Sequence, residues 1–205
     1  CMIEVLSLGH ALIDMLLEVQ DELLLKFYLK KGIFHILTED KSRELLTSIK
    51  GHQTTILPGG SAANTAAAIA YLGGSAAFIG KVGNDEYGYF YEKETKEAGV
   101  HSLLSKSDDL TGHCIVLITP DGERTFVVHY GAARELTKDD ISEDAIKNSK
   151  IIHIEGYMFD DPKTKQISFH ALTLAKKHKK IISFDIADPG VVTRNRDEFQ
   201  LIIND

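Results

Sequence analysis

The chain has 205 residues, 43% of them hydrophobic and 26% charged, enough for one domain with a sizeable core and too apolar for disorder. Twenty-three basic residues against 30 acidic ones leave a net charge of −7, so neither nucleic acid nor an anionic membrane is an expected partner. No apolar run approaches the roughly 20 residues of a membrane span. Val5–Leu17 is broken by His10 and Asp14 and lacks the basic leader and cleavage site of a signal peptide.

Cys1 and Cys114 are too far apart in sequence for a C-x-x-C site and too few for a disulfide framework. A reduced, soluble, cytoplasmic protein is expected. Met2 follows Cys1, which marks residue 1 as a cloning remnant or a processed end. The chain stops at Asp205 inside an apolar pattern of Phe199, Leu201, Ile202 and Ile203. It is therefore expected to be a piece of a longer protein.

In chain order, residues 3–8 read as a strand and 21–29 as a short helix. Residues 33–37 and 53–57 read as short strands around a charged helical stretch, 41–50. Gly59-Gly60 opens an Ala-rich helix over 61–72, followed by a strand over 75–81 and a helix over 85–98 that Gly99 stops. Residues 114–119 and 124–130 form a hairpin around Pro120-Asp121-Gly122-Glu123. Thr137 and Asp140 resemble a capping box starting a helix that reaches Asn148. A strand over 150–154, a helix over 162–180 and a strand over 181–184 follow. From residue 58 onward this is mainly a β-α-β-α order, hence a mostly parallel sheet covered by helices. The short early strands and the hairpin fit a small second sheet better than a parallel core.

Three stretches could carry chemistry. In Gly59-Gly60-Ser61-Ala62-Ala63-Asn64-Thr65 the glycines permit close backbone approach to a ligand, and the helix start offers free N–H groups. A tight strand-to-helix turn would need the same residues. Asn64, one turn into an apolar helix, requires a partner for its amide. Gly80-Lys81-Val82-Gly83-Asn84-Asp85-Glu86-Tyr87-Gly88 follows a strand, where α/β ligands sit. It is not a P-loop, because five residues separate Gly74 from Gly80 and Val82 follows the lysine. In Gly9-His10-Ala11-Leu12-Ile13-Asp14, Asp14 falls just past the first strand, placed either to accept substrate hydroxyls or to cap a turn. Glu155, before Gly156, has the same logic. The histidines show no metal-ligand spacing. No G-x-G-x-x-G follows the first strand, which argues against a dinucleotide enzyme.

These motifs in this order, with Thr111-Gly112-His113-Cys114 and Asp121-Gly122-Glu123-Arg124-Thr125, resemble the ribokinase/adenosine-kinase family of phosphofructokinase-B type carbohydrate and nucleoside kinases. Residues 183–189 and 194–199 look most like the adenosine-kinase branch. The resemblance implies an α/β three-layer sandwich with a mostly parallel central sheet. A small β-sheet lid, from strands near 33–57 and 114–130, would cover the acceptor, and a homodimer could form through it. Residues 1–205 would be the N-terminal, substrate-side portion of one kinase domain.

By resemblance, Asp14 and Asn64 bind sugar hydroxyls, and Gly59, Gly60 and Ser61 line the same pocket. Glu155 is similar to a sugar-contacting carboxylate, and Cys114 and Tyr157 fall where a nucleoside pocket is lined. The resemblance further implies a sugar or nucleoside as acceptor, and ATP and Mg2+ for the intact enzyme. The family's later Asn-x-x-Glu element, ATP site and Gly-Ala-Gly-Asp anion hole with its catalytic aspartate are not expected here. Gly131-Ala132-Ala133-Arg134 is not that motif. The chain would then hold no catalytic residue and no metal ligand, and would be inactive alone. A non-catalytic sugar- or nucleoside-binding homologue is the alternative.

Overall fold

The computed structural model describes residues 2–204, and Cys1 and Asp205, the expected remnant and cut end, lie outside the described residues. The first half runs β1 (Ile3–Leu8), β2 (Leu12–Glu18), α1 (Asp21–Lys26), β3 (Phe34–Ile36), α2 (Glu39–Ser48), β4 (Thr54–Gly59), α3 (Ser61–Tyr71), β5 (Ala76–Gly83) and α4 (Glu86–Glu97). It continues with β6 (His101–Ser107), β7 (His113–Ile118), β8 (Arg124–His129), α5 (Glu143–Lys147), β9 (Ser149–Glu155), α6 (Pro162–Lys177), β10 (Ile181–Asp185), α7 (Pro189–Arg194) and α8 (Arg196–Asn204).

The central sheet has the order β10-β9-β1-β5-β6, and every pairing in it is parallel. Parallel strands need a covered face on each side. On one side Ala62 and Ala66 of α3 and Tyr91 of α4 pack on Ala76, Phe78 and Val82 of β5. On the other, Ile146 of α5 and Ile167, Ala171 and Leu172 of α6 pack on Leu6, Leu8, Ile152 and Ile154. The result is the expected three-layer α/β sandwich. No described helix is long and apolar enough to cross a membrane.

The short strands and the hairpin do form a second sheet, β3-β8-β7-β2-β4. It is mixed: β2 pairs parallel to β7 and antiparallel to β4. The sequence reading missed β2, the strand between β7 and β4. Asp14 therefore lies inside a strand, opposite Cys114 and Leu57, and not in a loop past the first one. After Gly9-His10-Ala11 the chain leaves the central sheet for the second. Ile13, Met15 and Leu17 then face a core shared with α1 and α2 through Leu24, Leu45 and Ile49. The edge strand β6 was also missed, because His101-Ser102-Leu103-Leu104-Ser105-Lys106-Ser107 is mostly polar.

The helix expected over 137–148 is broken in two. Thr137 and Asp140 do make a capping box, but it opens a single 3-10 turn, 138–140. Ile141 is then extended and buried in the second core, and Ser142 caps α5 by accepting from the Ala145 N–H at 3.1 Å. Burial of one isoleucine overrides the local helix signal.

The end of β5 and the loop after it are filled with internal contacts. Lys81 pairs with Asp140 at 2.8 Å and donates to the Glu135 carbonyl at 2.9 Å. Asp85 caps α4 by accepting from the Gly88 N–H at 2.8 Å, and it accepts from the Thr111 N–H at 2.8 Å and hydroxyl at 2.6 Å. This carboxylate ties the start of α4 to the segment leading into β7. Asp85→Ala is expected to destabilise the chain by about 2–3 kcal/mol, the loss of a cap and two charge-assisted hydrogen bonds, as read by urea unfolding.

Candidate functional site: a cleft between the two sheets

A cleft of about 810 Å³ opens between the carboxyl ends of the central strands and the second sheet. Leu12, Phe34, Ile36, Cys114, Phe126 and Val128 of the second sheet give it an apolar wall. The opposite side carries His10, Gly60, Ser61, Asn64, Glu155 and Tyr157. Asp14 lines the cleft from β2. Of the expected site residues, all but Gly59 therefore line one cavity.

Gly59 lies behind Asp14, where a Cβ would overlap the Asp14 carboxylate, and its carbonyl accepts from the buried Tyr91 hydroxyl at 2.8 Å. Gly60 has φ +96°, and a Cβ there would run into the His10 carbonyl. The Gly pair thus lets β4 turn directly into α3 beside the first-strand turn.

The acidic groups of the cleft differ in how far the protein satisfies them. Glu155 is 1% exposed. Its Oε1 accepts from the His10 N–H at 2.8 Å and lies 2.8 Å from His10 Nδ1. Its Oε2 accepts from the Ser61 hydroxyl and the Ala62 N–H, both at 3.0 Å. Burial alone would raise this carboxyl, but the hydrogen bonds and charge of His10 and the Ala62 N–H hold it below its ordinary value. Both oxygens of the expected sugar-contacting carboxylate are thus taken by protein donors.

Asp160 accepts from Arg194 and from Asn195 Nδ2 at 2.7 Å. Asp188 accepts from the Gly190 and Val191 N–H groups. It also bonds the Tyr157 hydroxyl, which burial and that partner push up to about 12.

Asp14 is the contrasting case. Burial, with no compensating partner among the described residues, pushes its carboxyl up to about 6. Asn64, expected to need a partner within an apolar helix, is instead exposed toward the cleft. Burial also pushes the neighbouring Cys114 thiol up to about 12, so it is a neutral wall group and not a nucleophile.

Sequence reasoning assigned no role to His10, Arg134, Asp160, Asp188 or Arg194, which also line the cleft. His10 stood inside a quoted motif. Arg134 lies with its guanidinium 4.0 Å from the centre of the Tyr130 ring, and Asp160 sits in a 3-10 turn, 156–160. Neither setting has a local sequence signature.

The spacing Asn-x-x-Glu, not expected here, does occur at Asn195–Glu198. Asn195 is 3% exposed and spent on Asp160 and the Val191 carbonyl, and Glu198 is paired with Lys165 at 2.7 Å. Among the described residues no group of three or more His, Cys, Asp or Glu could hold a metal ion. Asn195 and Glu198 are thus both engaged by protein partners.

A parallel α/β sandwich with a second sheet beside a cleft is the ribokinase-like architecture. Residues 23–202 match the pfkB family carbohydrate kinase profile, and the chain belongs to that family. It is similar to the solved adenosine kinase of Sinorhizobium meliloti, with 33% identity and a TM-score of 0.83 over 97% of this chain and 61% of that one. The 5-dehydro-2-deoxygluconokinase of Clostridium perfringens is 34% identical over 148 residues, 70% of this chain and 44% of its own length. The fructokinase of Solanum tuberosum is 31% identical over 132 residues, 62% of this chain and 41% of its own length. The chain thus spans under half of these curated relatives.

The state of Asp14 has a measurable consequence. Its folded value of about 6 lies above the ordinary 3.8, so the folded chain binds more protons than the unfolded one between those values. Stability therefore falls as pH rises through that window, and the cost is fully present above it. Asp14→Asn is expected to stabilise the chain by about 1–2 kcal/mol near pH 7.5, discounted for partial exposure, and by almost nothing near pH 3. Urea melts at the two pH values measure this difference.

Proposed function

We propose that this chain forms the acceptor-binding side of an ATP- and magnesium-dependent kinase that phosphorylates a hydroxyl of a sugar or nucleoside. The observation that carries the reading is the pair Asp14 and Asn64. A carboxylate desolvated without a partner and an open amide line one cleft beside Gly60, in a chain that belongs to a carbohydrate kinase family. A partly buried acceptor without a protein partner costs stability that a ligand's hydroxyl restores. Asp14 accepts hydroxyl protons, and Asn64 both accepts and donates. Gly60 and Ser61 let the sugar approach the start of α3. Cys114, Phe126 and Val128 form a dry wall suited to the face of a sugar or base. Glu155 and Gly59 act one step back: Glu155 holds His10 and Ser61, and Gly59 makes room for Asp14.

In this reading residues 1–205 are the substrate side of one domain, and the second sheet is a lid that keeps water from the transferred phosphoryl group. A homodimer through the lid would cover the exposed Phe34, Ile36 and Leu57. Phosphoryl transfer needs positioned charge around the moving group. The Gly-Ala-Gly-Asp element that would supply it is absent from these 205 residues.

Calorimetry of the chain with adenosine, D-ribose and D-fructose tests the acceptor site. At least one is expected to bind, and Asp14→Ala is expected to weaken it by about 1.5–3 kcal/mol; unchanged affinity would sink the assignment. In a phosphotransfer assay with ATP and magnesium the chain alone is expected to give no turnover. Robust turnover would show that the base is already among its residues.

A further inference from the structure

We propose that the contact between His113 of β7 and Ser42 of α2 is an acid-sensitive latch: a proton on the imidazole breaks it and frees α2 from the second sheet. His113 and Ser42 are each 1% exposed, and His113 Nε2 is hydrogen-bonded to the Ser42 hydroxyl. Nδ1 lies 3.0 Å from the Thr111 carbonyl. A carbonyl only accepts, so Nδ1 carries the hydrogen of the ring and Nε2 accepts from Ser42. The latch therefore needs a neutral ring. A proton at Nε2 would aim a donor at the hydrogen of the hydroxyl and put a charge in the core.

Little around the ring offsets that charge. His129, its partner on β8, brings a second imidazole to 5.5 Å and opposes it. Asp85, at the start of α4, favours it, but both Asp85 oxygens already accept from Gly88 and Thr111. The residue opposite on β2 is Ile13. Glu39 of α2, Asp109, Arg134 and Glu135 lie around the small cavity beside His129. Burial accordingly pushes His113 from the ordinary 6.5 down to about 4. As pH falls below 6.5 the unfolded chain takes up this proton, and the folded chain takes it up only near 4. The stability the latch contributes is thus present above that window and lost within it.

The element that loosens is α2, because little else anchors it. Ser42 and Leu45 are its buried residues, and segments with few buried contacts open first. The hinge is Leu37, whose N–H donates to the Val128 carbonyl at 2.9 Å and whose carbonyl lies 3.2 Å from His129 Nδ1. Beyond it, release of α2 uncovers the back of β2, the strand that carries Asp14.

Native-state hydrogen exchange of the full chain at pH 7.5 and pH 5, corrected for intrinsic rates, tests the latch. Opening of α2, read at the amides of residues 44–49, is expected to rise about 10- to 30-fold at pH 5, with α6 staying more tightly closed than α2. In His113→Phe the rise should vanish. The proposal is overturned by α2 opening equally at the two pH values, by α2 and α6 opening together, or by a rise that persists in His113→Phe. If that variant does not fold, 1H–15N spectra of the unaltered chain decide. At pH 5 they should show His113 neutral with its hydrogen on Nδ1; a charged ring or the opposite tautomer overturns the latch.

Discussion

The cleft depends on one buried carboxylate. Glu155 ends β9 and receives donors from the first-strand turn, through His10, and from the start of α3, through Ser61 and Ala62. Taking an ionised carboxyl out of water costs several kcal/mol, which only well-placed partners offset. The four contacts do so, and they fix three chain segments against one another. Both oxygens of this carboxylate are engaged by the protein, and through them it holds the first-strand turn and the start of α3 in place.

The second sheet sets the chemistry of the remaining acid. Its apolar side chains remove water from Asp14 without supplying a counter-charge, which raises the carboxyl. Hydrogen bonds made in such a setting are electrostatically stronger than in water. The same wall would be a poor place for a group needing hydration. Asp14 and the sheet it belongs to are therefore one device: the sheet that carries the carboxylate also carries the apolar wall beside it.

Much of this was legible where the signal is local. Gly59-Gly60, Asp85, Asp161-Pro162 and the Pro120-Asp121-Gly122 turn each announce an element boundary, and the structure has one at each place. The strand β2 was hidden, because Leu12–Glu18 is rich in leucine and its departure for another sheet is decided by packing against α1 and α2. The break at Ile141 was hidden for the same reason. In the site, the type and place of Asp14, Asn64 and Glu155 were readable. The direction of the Glu155 oxygens was not, since their partner His10 is 145 residues away in sequence. Arg134 and Asp160 come from 3-10 turns, 131–135 and 156–160, whose residues have no periodicity to read.

The strand order β10-β9-β1-β5-β6 places the first strand of the chain in the middle of the sheet. Its partner β9 begins at Ser149. On a ribosome adding about 5–20 residues per second, β1 waits several seconds with one edge unpaired. During that wait its neighbour on the other side, β5, is already available. The half-sheet β1-β5-β6 is therefore the stage at which a nascent chain exposes a strand edge to other chains. The cleft forms only afterwards, when β9 carries Glu155 to His10.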